Sequence, residues 1–402
     1  MSRLLCQFFK RPFLSRQASP VRHFTRSNIQ LIDATNALEE ETLPWYSQDL
    51  FYPVKIGEVF QSRYQVIGKL GFGGYSTVWL CRDLIGHQYV TLKVFERGSS
   101  EGKREVEVYD RLNACTASHD GAILVRKALD SFQINSAEGF YQCLIHQPLG
   151  ISNRFRAKVL PEKLVKLTLI HLLLALDYLH SEAGIIHTDI QERNVLLGID
   201  NMSVLTDFEE AEKSDPSPRK IVGNRVIYAS RKLKKTNEHG RPVLCDFGQA
   251  RLGSARHSGD IQPYIYRAPE VLLRMSWDQK VDIWNLGLVA WDLFQTGHLF
   301  YGRDARKQES DTHHLAEMIA LLGPPPKNMI KSSEYATNFF NDEAKWNGAV
   351  PIPSITMEQL EGNLQGEQQQ LFLEFMRKML RWQPDERHSA RDLLSDRWLR
   401  SS

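Results

Sequence analysis

The 402-residue chain is short of several things, and each shortage closes off a class of explanation. Its five cysteines (Cys6, Cys81, Cys115, Cys143 and Cys245) are scattered, with no CxxC pair. That pattern excludes a disulfide framework and a cysteine-based structural zinc site, and it predicts a reduced compartment. The formal net charge is only +2, so the total shows no bias toward nucleic acid or another polyanion. No apolar run reaches the roughly 18 residues of a membrane-crossing helix. The longest, Leu167 to Tyr178, carries His171 and Asp177 and reads as a core helix. Acid is missing altogether before Asp33. With 42% hydrophobic residues, the chain suffices for two or three folded units or one large two-lobed domain.

The acid-free stretch, residues 1–32, contains Arg3, Lys10, Arg11, Arg16, Arg22 and Arg26. Wound as a helix, Leu4, Leu5, Phe8 and Phe9 share one face, with Arg3, Lys10 and Arg11 off it. This is the composition of a mitochondrial presequence, and Arg22-His23-Phe24-Thr25 would suit a processing site. A disordered basic tail is the plainer alternative, with residence in the cytoplasm or nucleus. Residues 33–51 contain Glu39-Glu40-Glu41 and Pro44 and read as an acidic linker. Tyr52 to Phe60 is the first packed segment, so the folded domain is expected to begin near Tyr52.

Tyr64 to Arg82 alternates like two strands joined by a glycine turn. In Leu70-Gly71-Phe72-Gly73-Gly74-Tyr75-Ser76-Thr77-Val78 the glycines would let backbone amides approach phosphate oxygens that a Cβ would obstruct. A tight hairpin is the alternative reading of this turn. Lys93 follows on a strand; alone it would be a solvated edge residue. Glu101 to Leu112 reads as a helix. Glu105 shares a face with Val108 and Leu112 and should point inward, whereas Glu107 should be solvated. Pro161 to His180 is a strong helix on which Leu164, Leu167, His171, Leu174 and Tyr178 follow the 3.6-residue period. Leu169, Leu172, Leu173, Leu176 and Leu179 widen its apolar surface. Next comes Gly184 to Leu197, which sets Asp189 five residues before Asn194. A carboxylate and an amide in that order can orient a hydroxyl nucleophile and hold a Mg²⁺ beside it.

In sum of order and spacing, these motifs resemble a eukaryotic-type protein kinase from about Tyr52 to Leu399. His187, Asp189 and Asn194 fit H-R-D-L-x-x-x-N. Gly71 to Val78 fits G-x-G-x-x-G-x-V with Ser76 for the third glycine, and Val90-Thr91-Leu92-Lys93 is similar to V-A-I-K. Ala268-Pro269-Glu270, Asp282 to Gly287 and Trp382 to Arg387 extend the match, with Glu270 and Arg387 as a structural pair. The resemblance implies an α+β, bilobal fold: a small antiparallel β lobe with one helix (about 52–146) and a mainly helical large lobe (about 150–399). ATP would sit between them, against Gln147 to Leu149 of a hinge backed by His146. Asp189 would act on the substrate hydroxyl. Lys93, held by Glu105, would place the α- and β-phosphates, and Asn194 with a second aspartate would hold Mg²⁺. Two aspartates compete for that place. Asp207, in Asp207-Phe208-Glu209, lies 13 residues after Asn194; Asp246, in Asp246-Phe247-Gly248, lies 52 after it. The glycine and the apolar run before it assign the site to Asp246, leaving 200–241 as an insertion rich in charge and Pro.

Within the group the chain looks most like the SR-protein-specific kinases. Tyr52 to Asp83, His187-Thr188-Asp189-Ile190 and Asp260-Ile261-Gln262 before Tyr266-Arg267 carry that likeness, and so does the place of the insertion. The family implies phosphotransfer to Ser or Thr of protein substrates, Arg/Ser-rich segments among them; a monomer is expected, with no nucleic acid and no membrane span. Thr188 in place of Arg implies activity without loop phosphorylation. Gln191 stands where Lys is usual, so the alternative is a pseudokinase scaffold that binds nucleotide without efficient transfer. A small-molecule kinase ranks third, because Ala268-Pro269-Glu270 and the 382–387 segment belong to the protein-substrate architecture.

Overall fold

Alternating residues over 59–146 build an antiparallel sheet of six strands, in the order β1-β2-β3-β4-β6-β5. The strands are β1 (Val59–Phe60), β2 (Tyr64–Gly73), β3 (Ser76–Asp83), β4 (Gln88–Arg97), β5 (Ala128–Ser136) and β6 (Gly139–His146). The computed structural model describes residues 17–24, 28–150, 159–234, 240–253 and 255–401. The expected amphipathic face at Leu4, Leu5, Phe8 and Phe9 lies outside the described residues. So do Thr25 and Arg26.

One helix, α1 (Ser100–Ala114), crosses the sheet. It starts where Ser99 Oγ accepts from the Gly102 amide at 3.2 Å, satisfying one of its orphan donors. Val108, Tyr109 and Leu112 form its buried face. Small-lobe residues such as Val66, Trp79, Cys81, Leu92 and Ile145 make a separate apolar cluster on the sheet.

The large lobe is built around strongly apolar helices, of which Lys280–Phe294 is buried on nearly every side. Such helices belong inside a protein. In α2 (Glu162–Tyr178) the residues that go deepest are Val165, Leu169, Leu172, Leu173 and Leu176. Of the periodic set, Leu164 and Leu167 at its start are exposed, whereas Tyr178 at its end is buried. A π turn carries the helix to Ala183, and Gly184, at φ +64°, ends it in the left-handed region. By length and composition alone Glu162–Ala183 could cross a bilayer. Here it is the core helix of the lobe.

Short strands follow: β7 (Ile185–Ile186) and β8 (Val195–Leu197) flank the loop bearing Asp189. The insertion is structured and docked on the small lobe. It holds α3 (Ser203–Ser214) and a hairpin of β9 (Arg219–Val222) and β10 (Arg225–Tyr228). Helix α3 sits so close to β2 that a Cβ on Gly68 would lie 2.9 Å from the Phe208 ring. Then β11 (Pro242–Leu244) pairs with β8 and β12 (Arg251–Leu252) with β7. Helices α4 (Lys280–Phe294), α5 (Asp311–Leu322) and α6 (Gly366–Met379) complete the large lobe.

Residues 33–51, expected as a linker, are instead seated on the small lobe. Lys69 of β2 is fully buried, and its ammonium donates to the Glu40 carboxylate and, at 3.2 Å, to the Tyr228 carbonyl. Lys220 holds Glu41 at 2.9 Å, and Ser230 Oγ holds Glu39 at 2.6 Å. The acidic run reads as solvated only while its basic partners, far along the chain, are unknown. Upstream, Arg22 exchanges backbone hydrogen bonds with the Gln65 side chain at 2.9 and 2.7 Å.

Candidate active site

Strand β4 carries Lys93 into the cleft between the lobes. Its ammonium lies 2.6 Å from Glu105 Oε2 on α1 and 3.1 Å from Asp246 Oδ1 at the end of β11. Burial works against the charge on Lys93, but Asp246 and Glu105 together raise it above the ordinary lysine value. The same contact holds the Asp246 carboxyl below its usual range. Burial pushes Glu105 up, with Lys93 opposing. Glu105 is buried and Glu107 is exposed, so only one of the two acids on α1 faces the lysine.

Across the cleft, Asn194 Nδ2 donates to Asp189 Oδ2 at 2.9 Å and to the Asp189 carbonyl at 2.8 Å. Gln191 Nε2 donates to the other carboxylate oxygen, Asp189 Oδ1, at 2.5 Å. Asp189 is half-buried, and desolvation lifts its carboxyl above the ordinary value. His187 and Arg193 pull it back, while Asp246 adds to the rise. Arg193 itself is exposed.

The loop that presents Asp189 hangs on Asp282, at the start of α4. This buried carboxylate accepts the His187 amide at 2.8 Å, the Thr188 amide at 2.7 Å and His180 Nε2 at 2.9 Å. Thr188 has φ +66°, an uncomfortable conformation for a β-branched residue. Asp282 and the Thr188 hydroxyl, which donates to the Gln249 carbonyl at 2.7 Å, hold it there. In the sequence, Asp282 stands only as the first residue of a segment that extends the family resemblance. Its role as anchor has one sequence signal, an acid opening an otherwise apolar helix.

Phe247 enters the core between the lobes. Its ring centroid lies 5.0 Å from His187 and 5.6 Å from Tyr109 on α1. Tyr109 in turn stands 5.1 Å from His146. A continuous column of rings therefore joins the catalytic-type loop to the back of the small lobe. His146 is buried, with Nδ1 at 3.0 Å from the Lys127 carbonyl; burial and then Arg126 push its pKa far down.

The glycine-rich segment is a strand–turn–strand. Leu70 to Gly73 end β2, Gly74 and Tyr75 form the turn, and Ser76, Thr77 and Val78 open β3. Phe72 and Tyr75 are exposed, whereas Ser76 and Thr77 are buried. Nothing stands within 4 Å of where a Gly71 Cβ would be, so that glycine is not there to accommodate packing. Gln147, exposed, and Leu149, half-buried, lie on the connection between the lobes. Of the two aspartate candidates, only Asp246 meets Lys93. Asp207 is on the outer side of α3, 2.9 Å from Lys234. Its neighbours Phe208 and Glu209 dock the insertion, the glutamate accepting from Tyr89 at 2.7 Å.

A six-stranded antiparallel lobe over a helical lobe, with a lysine–carboxylate pair facing an aspartate–asparagine pair across the cleft, defines a protein-kinase-like phosphotransferase fold. The protein kinase domain family matches residues 64–243 and 231–399. The chain belongs to the protein kinase family. A serine/threonine protein kinase of Aspergillus fumigatus is 47% identical over 395 residues, covering 96% of this chain and 97% of the relative. The serine/threonine-protein kinase SRPK of Physarum polycephalum is 29% identical over 389 residues, covering 89% and 90%. SRSF protein kinase 3 of Homo sapiens is 24% identical over 518 residues, covering 90% of each chain. A crystal structure of a kinase domain superposes with TM-score 0.67 at 24% identity, covering 88% of this chain and all of that one. This is therefore a serine/threonine protein kinase with the SR-protein kinases as distant relatives.

Proposed function

We propose that the cleft binds Mg·ATP and passes the γ-phosphoryl group to Ser or Thr hydroxyls in Arg/Ser-rich protein segments. The observation that carries this reading is the Lys93 ammonium held between Glu105 and Asp246, opposite an Asp189 oriented by Asn194 and Gln191. The residues suit both groups. Asp246 offers carboxylate oxygens. Asn194 spends its Nδ2 on Asp189, which leaves its side-chain Oδ1 for an ion. One carboxylate and one amide oxygen fit Mg²⁺, which takes hard donors and leaves its other positions to phosphate and water. Open space at Gly71 lets the loop backbone approach a phosphate.

When bound, Mg²⁺ neutralises charge on the phosphate oxygens. The chain's own residues do the rest. Lys93 positions the α- and β-phosphates, and Glu105 keeps the ammonium from drifting. The segment from Leu70 to Val78 covers the phosphates and excludes water, and Gln147 to Leu149 receive the base. Asp189 orients the incoming hydroxyl and accepts its proton late. Positioning and electrostatics supply the rate, since little covalent chemistry falls to the protein.

The names of the Physarum and human relatives support the Arg/Ser preference. Radiolabelled ATP with an Arg/Ser-repeat peptide, beside a generic basic protein, tests it. Preferential labelling of the peptide is expected; equal labelling of both would overturn the substrate reading. We also propose mitochondrial residence from the composition of residues 1–32. Fused to a fluorescent reporter, that stretch should carry it to mitochondria, and a diffuse or nuclear reporter would refute the idea.

A further inference from the structure

Trp45 is a large aromatic left 47% exposed, so burial in a core does not explain its position. Its indole Nε1 donates to the Gly74 carbonyl at 3.1 Å. Its ring stacks on Tyr75, with centroids 5.8 Å apart and planes inclined by 24°. Gly74 and Tyr75 are the turn of the glycine-rich segment, so both contacts fall on the tip of the loop proposed to cover the phosphates.

The segment carrying Trp45 is itself fastened at both sides. Just upstream, the 3-10 turn Glu39–Thr42 places Glu40 on the buried ammonium of Lys69, with Glu39 3.8 Å away. Lys69 lies in β2 shortly before Gly71, so the clamp acts on the strand that leads into the loop. Just downstream, Arg225 of the insertion donates to the Gln48 carbonyl at 2.5 Å and also to the Phe51 carbonyl. The insertion completes the arrangement from behind, where the Arg231 amide donates to the Lys69 carbonyl at 2.9 Å. Three stretches far apart in sequence thus meet at one hairpin, and Trp45 reaches its tip, where the Glu96 amide of β4 also donates to the Tyr75 carbonyl at 2.8 Å.

We propose that Trp45 is a positioning residue for the nucleotide: it pins the tip of the glycine-rich loop and thereby slows nucleotide release. A glycine-rich turn gives up much conformational freedom when it is held still. A ligand that needs the loop closed must meet that cost itself unless the protein has met part of it already. The indole hydrogen bond and the stack on Tyr75 do so at the turn itself. The inference rests on the proposal that Leu70 to Val78 cover bound ATP.

Full-length wild type, Trp45→Ala, Trp45→Phe and Lys93→Ala would be compared for binding and release of a fluorescent ADP, and for KM of ATP and of peptide. Trp45→Ala should raise the ADP release rate and the KM for ATP about tenfold, the size expected for one hydrogen bond plus one ring stack. The peptide KM should stay near wild type. Trp45→Phe keeps a ring and loses the donor, so it should fall between. Tyr75→Ala removes the other half of the stack; combined with Trp45→Ala it should add little further to the release rate. Wild-type release from Trp45→Ala, or full additivity of the two substitutions, would overturn the inference. So would an equal loss of ATP and peptide affinity together with thermal stability, since that marks a purely structural residue. Lys93→Ala separates this from the reading beneath it. If Lys93→Ala loses nucleotide and Trp45→Ala releases it normally, only the pinning fails. If Lys93→Ala binds as wild type does, the assignment of the cleft fails.

Discussion

On the large-lobe side of the cleft, the loop bearing Asp189 hangs on Asp282, a carboxylate with no exposure at the start of α4. On the small-lobe side, the glycine-rich hairpin is tied by Lys69 and Gly74 to residues 39–45, and those in turn to the hairpin β9–β10. The first anchor lies inside the core of its own lobe and cannot be released without opening that core. The second is assembled on the sheet from stretches far apart in the chain, with Tyr228 of the insertion set edge-on against Trp79. Two buried ion pairs repeat the contrast. Arg387 grips both oxygens of Glu270, at 2.7 and 2.6 Å, with both residues essentially unexposed. Lys69 is as deeply buried, but its partner Glu40 belongs to a short peripheral turn. A fixed base under the substrate hydroxyl and an adjustable cover over the nucleotide suit a reaction in which one side must hold geometry and the other must let product leave.

The largest effects should come from the fixed side. Asp189→Asn should lower turnover about 10²–10⁴-fold with nucleotide binding nearly intact, because the carboxylate acts on the hydroxyl. Asp246→Ala should abolish turnover and Mg²⁺-dependent nucleotide binding together. Asp207→Ala, which breaks only the exposed pair with Lys234, should change neither. Kinetics and nucleotide titration with and without Mg²⁺ distinguish them, and the reverse pattern would move the ion to the insertion.

Next in size are the two ion pairs. Glu270→Ala strands a buried guanidinium and should cost about 3–5 kcal/mol in urea unfolding. Lys69→Met leaves Glu40 on a segment that can turn to water, and should cost about 1–2 kcal/mol. A larger loss from Lys69→Met than from Glu270→Ala would invert the comparison.

Gln191→Lys should raise turnover about tenfold, since a full charge near the transferring phosphoryl group replaces a neutral donor. Wild-type turnover from this variant would mean that the hydrogen bond to Asp189 is what the position supplies.

The smallest effect concerns pH. Burial raises Asp189, and Arg193 is one of the groups opposing that rise. Asp189 works ionised, so activity should fall as pH drops through its raised pKa. Arg193→Ala removes an opposing charge, raises that pKa further and should move the acid limb of kcat/KM to higher pH. A shift toward lower pH, or none, would show that the exposed Arg193 is screened from the site.

Much of the cleft was legible because its chemistry lies in short, locally constrained segments. Asp189 and Asn194 are five apart on one tight loop, so their spacing alone brings them together. Glu105 could be preferred over Glu107 as the inward acid because a helix sorts its residues by face. The insertion was harder to read. Asp207-Phe208-Glu209 copied part of a metal motif, yet Phe208 is there to fill the space above Gly68 and Glu209 to receive Arg22 and Tyr89. The wide apolar surface read for α2 is largely buried, and Leu164 and Leu167 alone among its periodic residues stay exposed.

By itself, the order of residues determined the lobes, the helix that carries Glu105 and the loop that carries Asp189, because periodicity and spacing act over a few residues. Only the tertiary structure decided what becomes of Glu39, Glu40, Glu41 and Trp45. Their partners are Ser230, Lys69, Lys220 and the Gly74–Tyr75 turn. A charge far from its partner in the chain looks solvated until folding brings the two together, and the local sequence carries no sign of which distant residue will remove it from water.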